Sequence, residues 1–145
     1  DYRTFLVKLA DEDYIMSIKL FYYSNLTVDI SNVLYYYTVI GNSYSYTKNY
    51  ELFLVDRIKA IGAVKTFLEL NDIWQTYKKA LYARIIMCKQ TYLINKEYFN
   101  IDKYYTLYPE ANKTWRNFAY GKREILLFWL AEHKMTILIK LIYLF

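Results

Sequence analysis

Few side chains in this 145-residue sequence are equipped for reaction chemistry: one histidine, His133, one cysteine, Cys88, and 14 carboxylates. A thiol and an imidazole make a nucleophile and base when a fold brings them within hydrogen-bond reach. His133 lies between Glu132 and Lys134 and reads as the edge of a helix. Cys88 falls in one stripe with Trp74, Tyr77, Leu81, Ile85 and Tyr92 at spacings of three and four, so it reads as a small core residue with an inert thiol. One cysteine can form neither an intrachain disulfide nor a thiol-rich metal site. The run Asp11-Glu12-Asp13 reads as a solvated helix start, where exposed N–H groups favour negative charge. There is no HExxH, GxGxxG, Walker loop or Cys/His zinc spacing. The expectation is a non-enzymatic protein without cofactor or metal.

Charge and aromatic surface remain as means of action. The formal net charge is +5, divided as −2 over residues 1–47 (three basic, five acidic) and +7 over residues 48–145 (sixteen basic, nine acidic). Between Asp72 and Glu97 there is no acid but five bases: Lys78, Lys79, Arg84, Lys89 and Lys96. On a helical wheel the four lysines share one flank of the apolar stripe, with Tyr82 among them. Such lysines can simply lay their stems over the edge of a core. They can also form an electrostatic footprint for nucleic acid or for an acidic protein surface, extended by Lys113, Arg116, Lys122 and Arg123. Without a DNA-reading motif, contact with nucleic acid would be made to phosphates.

The second resource is tyrosine, present 19 times. Between Leu20 and Thr47 there are seven tyrosines and a single charge, Asp29. Tyrosine buries its ring, keeps a polar tip and anchors protein interfaces at little rotamer cost. Tyr35, Tyr36, Tyr44 and Tyr46, together with Lys78, Lys79, Tyr82, Lys89 and Lys96, are therefore the candidate partner-binding residues. The competing reading is a codon bias that fills ordinary core rims with Tyr, Ile, Asn and Lys.

The elements that must position these groups read as helices. Three glycines and one proline are too few for a turn-rich β fold. A helix is expected from Asp11 to about Ser24. Residues 27–41 read either as a helix capped by Thr27 and stopped by Gly41 or as a tyrosine-rich hairpin across Gly41-Asn42. A loop follows to Lys48. Residues 50–70 form a largely buried helix with Arg57 inside its apolar arc, which calls for an acidic partner or a route to the rim. Asn71-Asp72 caps a helix over 73–96, Asn100 caps a short one through Tyr105, and Pro109 starts another that carries Trp115 and Phe118 and ends at Gly121. Lys122 to Phe145 reads as one helix, apolar over most of its circumference. Leu126 to Phe145 has the 20 residues of a membrane span, but Glu132, Lys134 and Lys140 each oppose insertion by roughly 2.5–3.5 kcal/mol. A central bundle helix with one wet edge is preferred to a membrane-surface helix. The sum is an all-α single domain over 1–145, a bundle of five to seven helices built around 50–70 and 122–145.

In overall texture the chain resembles small proteins of viruses that infect hyperthermophilic archaea: short, rich in Tyr and Ile, poor in Cys, His and Gln. Poxvirus helical-bundle proteins have a similar composition. The resemblance covers the whole chain as style and carries no motif or residue role. It implies a regulator docking on a host machine, such as a transcription inhibitor, or a self-associating virion protein packed on DNA. Location in a host cytoplasm or a virion, with a protein complex or nucleic acid as partner and no membrane span, follows as expectation.

Overall fold

The computed structural model describes residues 11–29, 31, 50–119 and 121–143, and every regular element among them is helical. Six α-helices run in chain order: α1 (Glu12–Tyr23), α2 (Tyr50–Leu70), α3 (Trp74–Ile94), α4 (Ile101–Thr106), α5 (Lys122–Glu132) and α6 (Thr136–Ile142). Two short 3-10 turns, Pro109–Ala111 and Trp115–Asn117, lie between α4 and α5. Among the described residues the fold is all-α, in keeping with the shortage of glycine and proline. Residues 27–29 and 31 are not helical. The rest of 27–41, and with it the choice between helix and hairpin, lies outside the described residues, as do Tyr35, Tyr36, Tyr44 and Tyr46.

Two compact units divide the chain, Asp1–Phe67 and Leu68–Phe145. In the first, α2 buries Leu54, Ala60, Ile61, Val64 and Phe67 on one arc. Arg57 stands within that arc, and its charge is met by Asp11, whose Oδ2 accepts from Nε at 2.9 Å and whose Oδ1 accepts from Nη2 at 3.4 Å. Asp11 is thus turned inward instead of solvated at the start of α1. A buried guanidinium without a counter-charge would be strongly unfavourable. Helix α1 buries none of its residues. Tyr22 and Tyr23 meet the Phe67 ring edge-on at 5.2 and 6.1 Å, and the Lys19 amine stands 5.6 Å from the same ring.

In the second unit α3 packs against α4, α5 and the Pro109–Ala111 turn, and α5 packs against α6. Leu81, Ile85, Leu93, Leu127 and Phe128 are fully enclosed. The Trp115 ring lies flat on Phe128, 5.7 Å between centroids and 7° between planes. Polar ties fix the connections. Asn100 caps α4 by accepting from Lys103 N at 2.9 Å, and its own N–H donates to Tyr92 O at 2.9 Å. The Tyr105 hydroxyl donates to Ala131 O at 2.8 Å, and the Tyr143 hydroxyl donates to Leu93 O.

Three boundaries differ from the sequence reading. Residues 122–145 do not form one helix: α5 ends at Glu132 and α6 begins at Thr136. The break is a Schellman turn. Lys134 takes φ 56°, its N–H donates to Ala131 O, and Met135 N donates to Leu130 O, both at 2.9 Å. The same device closes α2, where Asp72 at φ 58° donates to Glu69 O and Ile73 N donates to Leu68 O. Asp72 therefore ends the preceding helix, and α3 starts without a side-chain cap at Ile73. Finally, 109–121 is two 3-10 turns instead of a helix, and Gly121 opens α5 with its N–H donated to Glu124 Oε2 at 3.3 Å.

Lys134 carries the cost of a left-handed backbone without glycine's freedom. Replacing it with glycine should raise stability by about 0.5–1 kcal/mol, measured by urea unfolding followed by circular dichroism. Lys134→Ala, which keeps the Cβ, should show no such gain.

Candidate functional site

The lysine flank of α3 is the sequence's strongest candidate, and the structure divides it. Lys78, Tyr82 and Lys89 recur at intervals of four and seven, so they lie along one line of the helix. The first part of that line is half-buried, with the Tyr82 ring edge-on to Trp74 at 5.9 Å and the Lys78 ammonium donating to Gln75 Oε1. Lys79, off the line, is exposed, and Lys96 is exposed in the turn after α3.

Lys89 is not a surface residue at all, with 0% of its area exposed. Its amine donates to Tyr104 O at 2.5 Å and to Leu107 O. These carbonyls belong to the last turn and C-cap of α4, where helix carbonyls lack intrahelical partners and carry partial negative charge. The nitrogen also stands 4.8 Å from the Tyr104 ring centroid. Lys89 is thus a tertiary cap that joins α3 to the end of α4, and it leaves the group of candidate contact residues. Burial pulls its pKa down to about 8, against a smaller upward pull from Glu110. Burial likewise pushes the Tyr104 phenol well above its usual range, and that of Tyr143 upward.

Cys88 is 1% exposed, in agreement with a core role. His133 is exposed at the C-terminal end of α5, its Nδ1 2.8 Å from Trp129 O and its ring 4.3 Å from that of Trp129. Among the described residues no group of three His, Cys, Asp or Glu side chains is placed to hold a metal ion. Glu132 is taken up elsewhere. Arg116 grips it with Nη1 to Oε1 at 3.0 Å and Nη2 to Oε2 at 2.6 Å, and Trp115 Nε1 donates to it at 3.3 Å. The Arg116 hydrogen bonds come first among the causes that hold its carboxyl below the usual range.

Two exposed apolar surfaces lie beyond the candidate residues read from the sequence, the first entering the tyrosine-rich stretch after Leu20 and the second in the segment weighed as a membrane-surface helix. On α1, Met16, Leu20, Phe21, Tyr22 and Tyr23 are all between 41% and 68% exposed. Between α5 and α6, Leu126, Leu130, Leu138, Leu141 and Ile142 line a shallow, wholly aliphatic groove, and Ile125, Trp129 and Ile137 stand exposed outside it. The available signal for the second was the breadth of the apolar arc in 122–145, which a central helix would also produce. No described helix is long and apolar enough to cross a membrane. No family model, curated protein or solved structure matches this chain.

The Lys89 cap has a pH signature. Below pH 8 the amine is charged in both folded and unfolded chains, so the cost of burying that charge is fully present. Between about 8 and 10.5 the unfolded chain still holds the proton that the folded one has released, so stability rises with pH. Above about 10 the raised tyrosine values reverse the trend, because the unfolded chain loses phenolic protons first. Chemical denaturation should show a gain of roughly 2 kcal/mol from pH 7.5 to 9.5. In Lys89→Met that slope should be absent.

Proposed function

We propose that this chain is a non-enzymatic interaction protein that docks on a larger macromolecular machine of a host, as a regulator of transcription or a comparable process. The observation that carries this reading is α1, a helix with no buried residue and five large apolar side chains in solvent. Twelve residues make a marginal helix in water by themselves, and most helical stability in proteins comes from packing an apolar face. Here Tyr22, Tyr23, Lys19 and Arg57 supply contacts at the rim, while the Met16, Leu20 and Phe21 side chains remain more than half exposed. Aromatic side chains on a rigid element are the usual anchors of a protein interface. Tyr35, Tyr36, Tyr44 and Tyr46 stay in the proposal on their sequence alone, as part of the nearly uncharged stretch between Leu20 and Thr47.

Exposed Lys79 and Lys96, with half-buried Lys78, provide positive charge that steers an acidic partner surface. The alternative of a self-associating virion protein on DNA needs a run of cations to meet phosphates. With Lys89 enclosed that run is broken, and the protein-docking reading takes precedence.

The test is affinity capture from the native cell extract with wild type and a Phe21→Ser/Tyr23→Ser variant in parallel. Wild type should enrich one assembly, and the variant should lose it while keeping its helix content. Equal recovery by both would remove α1 as the docking face. Salt-sensitive shifting of arbitrary duplex DNA by the monomer would transfer support to the virion alternative.

A further inference from the structure

The α5–α6 face is the exposed apolar surface of the second unit, and its charge pattern differs from that of α1. We infer that it is a docking surface for anionic lipid headgroups, on which the helical pair lies with its aliphatic side chains in the acyl boundary.

Three observations lead there. The first is the apolar content. Ile125, Leu126, Trp129, Ile137, Leu138 and Leu141 are between 41% and 75% exposed within 17 residues of sequence, and the groove between the helices is aliphatic throughout. Scattered apolar residues on a surface need no explanation, whereas a contiguous patch of this kind marks a binding face. On α5, Ile125, Leu126 and Trp129 occupy the side opposite buried Leu127 and Ala131, so the exposure belongs to one face of the helix.

The second is charge. Residues 121–143 hold Lys122, Arg123, Lys134 and Lys140, all exposed, against Glu124 and Glu132. Both carboxylates are engaged within the protein. Glu124 accepts from Gln90 Nε2 at 2.7 Å and from Gly121 N, and Glu132 is held by Arg116 and Trp115. Four cations against two carboxylates leave this segment positive, with cations at the start of α5, in the turn and on α6. A second copy docked face to face would bring two surfaces of like net charge together. An anionic bilayer offers both an apolar layer and a sheet of negative charge.

The third is the placement of an amphipathic ring. Trp129 lies on the exposed side of α5. Indole rings favour the boundary between headgroups and acyl chains. Since no described helix can span, the association is one of lying on the surface.

Flotation of the full chain with vesicles of about one-third phosphatidylglycerol in phosphatidylcholine tests this, with pure phosphatidylcholine as reference. Wild type should float with the anionic vesicles, release at about 0.5 M salt, and leave the neutral ones largely unbound. Ile137→Ser/Leu141→Ser and Lys134→Glu/Lys140→Glu should each lower partitioning by about tenfold with unchanged circular dichroism. Brominated lipids should quench tryptophan emission of the wild type, a readout that requires no variant to fold. Absence of flotation overturns the inference. So does flotation unaffected by both double substitutions, or a concentration-dependent dimer that Ile137→Ser/Leu141→Ser abolishes, which would make a second copy the occupant. The α1 variant Phe21→Ser/Tyr23→Ser should float like wild type, so failure of partner docking and failure of lipid docking are read separately.

Discussion

The second unit depends on one enclosed amine. Lys89 reaches from α3 to two carbonyls at the end of α4, and the segment that follows α4 turns from that point into the Pro109–Ala111 turn. Helix α4 has six residues and cannot stand on its own hydrogen bonds. Asn100 closes its N-terminal end and Lys89 its C-terminal end. A charge removed from water is costly even when its hydrogen bonds are made, and the depressed pKa of Lys89 expresses that cost. The same contact excludes a slipped packing of α4, since an apolar residue on α3 would leave those carbonyls without this donor.

A second constraint comes from two of the left-handed residues, Asp72 and Lys134. Each closes a helix through a Schellman turn. The turn at Lys134 divides an apolar run that would otherwise continue as a single rod. Folding back lets α6 bury Ile139 while Ile137 and Leu141 stay in solvent. Because the apolar residues of this run outnumber the buried positions available, the surplus becomes a surface.

Charge is arranged asymmetrically along α5 and α6. Glu124 and Glu132 are drawn into hydrogen bonds with Gln90 and Arg116, whereas Lys122, Arg123, Lys134 and Lys140 are exposed. The groove between these helices is shallow and wholly aliphatic, whereas a small-ligand site is concave with convergent polar groups.

Helix type and extent were legible because the 3.6-residue period, the Asn100 cap and the scarcity of glycine and proline are local properties: α2 spans the expected 50–70, α1 follows Asp11, and Cys88 lies in its core stripe. The need of Arg57 for an acid was also legible, though not that Asp11 would supply it from 46 residues away. The Lys134 turn had no glycine to announce it. The fate of the lysine flank could not be read either, because a helical wheel shows which side of a helix a residue takes but not which stretch of that side another segment covers. The end of α4 covers the stretch that holds Lys89. Periodicity along the chain therefore determined the helices, while the approach of distant backbone carbonyls decided which of their charges would stay exposed and which would be sealed inside.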